Sequence, residues 1–161
     1  MADVLRTIPV PAENNSPFVE IPYLGLIGTD TLKLKAGWIK KDLPAIFRVK
    51  EGVARLVTDA TVKNRNITFK RFFVNGDSSR YSLYAASAAV AASTTDYLTF
   101  GQIYAASAGS TIVPDLVGWY DMILIGDDYL ELAINNNAAG DAWEAWIQFE
   151  FLNRMYGITG E

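Results

Sequence analysis

From Ile46 onward, apolar and polar residues alternate with a period of two, the pattern of strands with one buried face. Ala142 to Leu152 shows it best. Trp143, Ala145, Ile147, Phe149 and Phe151 fall on one side, and Glu144, Trp146, Gln148 and Glu150 on the other. Tyr129 to Ile134 repeats the pattern with Leu130, Leu132 and Ile134. Further strands are predicted at Ile67–Val74, Arg80–Tyr84, Tyr97–Tyr104 and Val117–Ile125, rich in β-branched and aromatic residues. Ile46–Val49 and Val53–Val57 flank Lys50-Glu51-Gly52, a spacing that predicts a hairpin. Asn75-Gly76 predicts a second tight turn, and Asn135 to Asp141 a loop that tolerates left-handed backbone. Ser82 to Ser93 is dense in alanine, so a short helix competes with strand there.

The first 44 residues differ. Pro9, Pro11, Pro17, Pro22 and Pro44 interrupt them, and proline cannot donate to a central ladder. This stretch suits an arm and edge strands, with one alternating strand at Thr31 to Lys35 closed by Gly37-Trp38. Tyr84-Ala-Ala-Ser-Ala88 recurs at Tyr104 to Ala108, but two copies are too few for a solenoid.

Composition narrows the function more than the fold. The 161 residues suit one domain, and half are hydrophobic, too many for a disordered chain. No apolar run approaches the roughly 20 residues of a membrane span, and the start lacks a secretory pattern, so a soluble, cytoplasmically made protein is expected. Cys and His are both absent. That removes disulfides, thiolate nucleophiles, the commonest neutral-pH base and the commonest metal ligand. No cofactor and no metal are expected, nor is enzymatic activity.

Carboxylates are the remaining chemistry. Asp127, Asp128, Glu131, Asn135, Asn136, Asn137 and Asp141 offer hard oxygen ligands but no EF-hand spacing. Glu131, Glu144 and Glu150 are the candidates for a glycosidase pair; on an alternating strand, Glu144 and Glu150 are expected to be solvated instead. Phe69-Lys-Arg-Phe-Phe73 mixes bases with aromatics, yet a pI near 4.8 disfavours nucleic acid. Net charge is unevenly divided: +5 through Arg80 and −9 from Tyr81 on. Either an electrostatic partner surface or two halves that interleave on folding would account for it.

Several features resemble the jelly-roll modules of bacteriophage virion proteins, namely capsid decoration proteins, head fibres and tail-associated β-sandwiches. They are the strand Ile67 to Val74 leading into Asn75-Gly76, the small-residue segment Ala108-Gly-Ser-Thr111, and Gly126-Asp-Asp-Tyr-Leu130. Ala139-Gly-Asp141 before a closing strand that ends Ile147-Gln-Phe-Glu-Phe151 completes the set. The likeness runs from Gly52 to Leu152; the Asp96 to Pro114 insert and the Pro-rich start depart from it. It implies an all-β, jelly-roll-like antiparallel β-sandwich, placed at 45–153, while the prolines make 1–44 an extended N-terminal arm with edge strands and 154–161 is left as a C-terminal tail. It also implies a capsid decoration (cement) protein on the virion surface, a homo-oligomer, trimeric in resembled families, bound to a major capsid protein without nucleic acid or membrane. A carbohydrate- or receptor-binding fibre module is the alternative, and a carboxylate-only glycosidase the third reading. Aromatics favour interfaces. Trp146, among polar neighbours on its strand face, is therefore the leading contact candidate, with Trp38, Trp119, Phe18 and Tyr23 beside it.

Overall fold

In the computed structural model, residues 2–11, 18–27, 30–73, 81–86, 89–101, 110–112 and 122–153 are described. They form eleven strands and no helix. In chain order these are β1 (Ala2–Thr7), β2 (Phe18–Ile27), β3 (Asp30–Lys40), β4 (Leu43–Pro44), β5 (Ile46–Val57) and β6 (Asn66–Phe72). Then follow β7 (Tyr81–Ala86), β8 (Thr95–Gly101), β9 (Ser110–Ile112), β10 (Ile123–Asn135) and β11 (Ala142–Phe151). The protein is all-β.

Hydrogen bonding runs through all eleven strands, with the central path β1-β3-β10-β5-β11-β2. The sheet is mixed, not wholly antiparallel as expected: β1 runs parallel to β3, and β9 to β8. The two late strands are inserted among early ones. β10 lies between β3 and β6, and β11 between β5 and β2. One core collects their inward side chains: Leu32 and Leu34 of β3, Phe47 and Leu56 of β5, Phe69 of β6, Leu130 and Leu132 of β10, and Trp143, Ile147 and Phe149 of β11. Phe47 meets Phe149 edge-on at 6.1 Å between ring centroids, a favoured aromatic geometry. The core extends into the N-terminal segment, where Ile8 is fully buried and donates its N–H to the carbonyl of Lys35.

This interleaving accounts for the uneven charge. Lys35 pairs with Asp127 (2.7 Å), Arg48 with Glu150 (3.2 Å), Arg55 with Glu144 (2.9 Å), Arg65 with Asp141 (2.9 Å) and Arg71 with Asp128 (3.0 Å). Each joins a base from before residue 80 to an acid from after residue 81. Opposite charges across neighbouring strands stabilise the pairing. Within these pairs the two charge excesses meet inside one chain.

One local prediction is corrected and one open alternative is decided. Lys50-Glu51-Gly52 is no turn: β5 is one strand of 12 residues. Its register to β11 passes from Gln148↔Glu51 to Phe149↔Val49, leaving Lys50 as an extra residue. The slip in alternation that suggests a turn is resolved by a β-bulge, which keeps Phe47, Val49, Ala54 and Leu56 all inward. The alanine-dense segment forms strand over Tyr81–Ala86 and an isolated bridge at Val90 rather than a helix. Pairing with β6 outweighs alanine's intrinsic preference. The Asn75-Gly76 turn and the Ala108-Gly-Ser-Thr111 segment up to Gly109 lie outside the described residues.

Candidate interaction surface

β3 ends in a corner built around two glycines that face each other in register, Gly37 (φ 81°) and Gly126 (φ 58°). Both adopt a left-handed backbone that costs glycine little. β10 bulges here, with one extra residue between Gly126 and Tyr129, as it turns from pairing β5 to pairing β3 and β6. The Asp128 carboxylate closes the bulge, accepting from the Ile125 N–H (3.3 Å) and the Arg71 guanidinium (3.0 Å). Gly126-Asp127-Asp128 therefore sits inside a continuous strand.

Trp38 stands at this corner, half-exposed at 49%. A Cβ on Gly126 would come within 3.2 Å of the indole and 3.3 Å of Pro44, so the missing side chain lets the ring lie close to the backbone. The indole N–H donates to Asp127 Oδ1 at 3.1 Å, and Lys35 Nζ holds the same oxygen at 2.7 Å. The Lys35 and Trp38 hydrogen bonds keep the Asp127 carboxyl below the usual carboxylate range. Ile125, one residue before Gly126, is 43% exposed.

Trp146 occupies the middle of β11 and is half-buried. In register it lies opposite Val53 of β5. On its other side the β2 ladder shifts between Ala145 and Ile147, where Pro22 and Tyr23 form the bulge. A bulge frees Pro22 from the ladder donor it lacks. Phe18 lies opposite Glu150 in the same ladder. Tyr23 and Phe18 are thus on the strand beside Trp146 by backbone register, whereas Trp38 is at a separate corner. Trp119 lies outside the described residues.

Glu144 and Glu150 do not come together as a pair. Glu144 and Glu150, expected to be solvated, are buried and held by Arg55 and Arg48, because β5 supplies a base opposite each. Burial pushes the Glu144 carboxyl up from its ordinary value. Six strand positions separate the two, roughly 20 Å, against the 5–10 Å range of paired glycosidase acids. The proposed calcium ligands are also dispersed. Asp127 and Asp128 sit at the bulge within β10 and Asp141 lies beyond its far end, and no cluster of three or more acids suited to a metal occurs among the described residues.

Asp141 instead forms the best-built polar site, which the sequence reading missed. Arg65 is fully buried, and all five guanidinium N–H groups are used. Nε bonds Asp141 Oδ2 (2.9 Å), one terminal nitrogen bonds Asp141 Oδ1 (3.0 Å) and Asp59 Oδ1 (2.7 Å), and the other bonds the carbonyls of Thr61 (2.8 Å) and Lys63 (3.0 Å). Asp141 also accepts from the N–H groups of Asp59 (2.9 Å) and Ala138 (2.7 Å). Asp59 accepts from the Thr61 N–H, which chiefly keeps its carboxyl low, and from the Gly140 N–H. The backbone of Arg65 bridges Val90 in both directions. Three connections are thereby locked together. With every donor matched and no side open to solvent at Arg65, this is a structural clamp and not a substrate site.

No protein-family model, curated protein or solved structure matches this chain.

Proposed function

We propose that this chain is a non-enzymatic structural protein of a bacteriophage particle. In this reading it is a capsid decoration protein with a jelly-roll-like sandwich and an extended N-terminal arm. It acts as a homo-oligomer on the virion surface, bound to the major capsid protein, after synthesis in the host cytoplasm. The observation that carries the reading is the β1 edge. Ala2–Thr7 pairs with β3 along one side, ends the central strand path, and exposes Leu5 at 62%. An edge strand with an apolar side chain outward is a template for a neighbouring chain, and folded proteins blunt such edges unless they use them. Trp146 and the β2 strand beside it mark the opposite end of the same path.

The buried acids Asp128, Asp141, Glu144 and Glu150 are each paired with an arginine of the same chain, so they serve the fold. Mixing the purified protein with capsids that lack decoration tests the reading. It should co-sediment at a fixed stoichiometry, and Leu5→Glu should reduce the binding without lowering Tm. Binding by neither form would reject it. A carbohydrate-binding fibre module is the second reading, favoured by the exposed and anchored indole of Trp38.

A further inference from the structure

We infer that Trp38, Asp127 and Lys35 form a stacking site for one neutral pyranose of a glycan. This goes beyond the capsid reading and gives the second reading its residues. It stands on four observations at one corner. First, the indole is half-exposed yet fixed: Gly126 allows its close approach to the backbone, and Asp127 holds its N–H. A ring already held in place loses little conformational freedom when a ligand stacks on it. Second, the indole N–H is already satisfied, so the ring offers a flat apolar surface and demands no acceptor from the ligand.

Third, polar groups suited to hydroxyls stand at the ring's edge. Both contacts to Asp127 fall on Oδ1, which leaves Oδ2 as an acceptor on a side chain 47% exposed. The carboxyl is held ionised by its two neighbours, and Lys35 Nζ adds further donors. A carboxylate oxygen accepts a sugar hydroxyl, and an ammonium donates to the next one. Lys35 and Asp127 offset each other's charge, so the two polar groups at the ring's edge do not require a charged sugar.

Fourth, the size decides between a glycan and a protein partner. A tryptophan offers roughly 150–250 Å² when fully buried, so a half-exposed indole offers on the order of 100 Å². A specific protein interface needs about 800 Å² from each partner. Among the described residues, Lys40, Lys41 and Asp42, which follow Trp38 in the chain, are exposed, and the side chain that holds the indole, Asp127, is charged, so no extended apolar patch is shown to continue from the ring. The apolar face of one pyranose fits that footprint.

The test is a titration of the 15N-labelled full chain with neutral tetrasaccharides of glucose, galactose and mannose. It is read on the tryptophan indole N–H resonances, with Trp38 assigned from Trp38→Phe. A single stacked sugar implies a Kd on the order of 1 mM. The Trp38 resonance should shift saturably with at least one of the three sugars. Trp38→Ala should abolish the binding, and Asp127→Asn should weaken it about tenfold while the amide spectrum stays that of the folded chain. The same tetrasaccharides linked to a lipid or to a carrier protein should bind equally, which would assign recognition to the sugar and not to its carrier. No shift at Trp38 with any of the three, or binding that survives Trp38→Ala, overturns the site. Capsid co-sedimentation of Trp38→Ala is scored separately, and its retention keeps failure of this site distinct from failure of the capsid reading.

Discussion

Arg65 and Asp141 are 76 positions apart in the chain, and their fully buried side chains meet in a two-pronged pair at 2.9 and 3.0 Å. A planar guanidinium matches a carboxylate in this geometry, which lysine cannot reproduce. The pair fastens the β5–β6 connection to the β10–β11 connection, and Asp59 extends it to Gly140. The interleaved order of early and late strands is therefore anchored at the loops that join them.

Removing Arg65 leaves the Asp141 carboxylate buried without its partner. Arg65→Ala is expected to cost about 3–5 kcal/mol, and urea denaturation measures it. Arg65→Met with Asp141→Leu should cost less than the two single changes added together, because the double variant strands no charge. Full additivity would show that the two residues do not act as a unit.

Gly140 and Gly126 constrain their neighbours in different ways. A Cβ at Gly140 would fall 2.7 Å from Asp59 Oδ2, so Gly140→Ala must displace that carboxylate from the clamp. At Gly126 the left-handed backbone adds strain, of order 1–3 kcal/mol for a non-glycine residue. Gly126→Ala should also shift the Trp38 indole N–H resonance, since the new methyl group meets the ring. An unchanged resonance with unchanged Tm would show that the ring is not seated as described.

Two kinds of carboxyl act on the pH dependence of stability in opposite directions. Asp59 and Asp127 are lowered in the fold, so their contribution is present above the ordinary carboxylate pKa and lost as pH falls through their folded values. Glu144 is raised, so the folded state takes up its proton first, and stability declines as pH rises from the ordinary glutamate value through the folded one. Glu144→Gln should flatten the descending limb while leaving the acid limb in place. Tm measured from pH 3 to 7 on both proteins checks this.

The outcome on β11 shows what alternation makes legible. Trp143, Ala145, Ile147, Phe149 and Phe151 are all buried, as their spacing predicts. The same spacing misjudges Glu144 and Glu150, because period two separates faces but does not say that β5 sets a base opposite each acid. At Lys50 the local pattern suits a turn or a bulge equally, and only the long partner strand β11 decides for the bulge. The Arg65 clamp has no periodic signature. Its one local trace is Asp59 two residues before Thr61, a spacing at which aspartate accepts its neighbour's N–H. Trp38 was among the predicted contacts, but the anchoring of its indole depends on Asp127, 89 residues away.

Trp146→Ala tests whether the middle of β11 is part of the contact surface. Loss of a central aromatic anchor at an interface costs about 2 kcal/mol or more, mostly through faster dissociation. If Trp146 serves only to cover its own chain, Tm should fall while the self-association constant from analytical ultracentrifugation stays the same.

The proposal that this protein decorates a capsid is tested most directly by a cryo-electron microscopy reconstruction of capsids incubated with the purified chain. The account predicts density for the eleven-stranded fold on the outer shell at fixed symmetry positions, with the Ala2–Thr7 edge against a neighbouring subunit or the capsid protein. Bare capsids at saturating protein, together with a chain that remains monomeric alone, would contradict it.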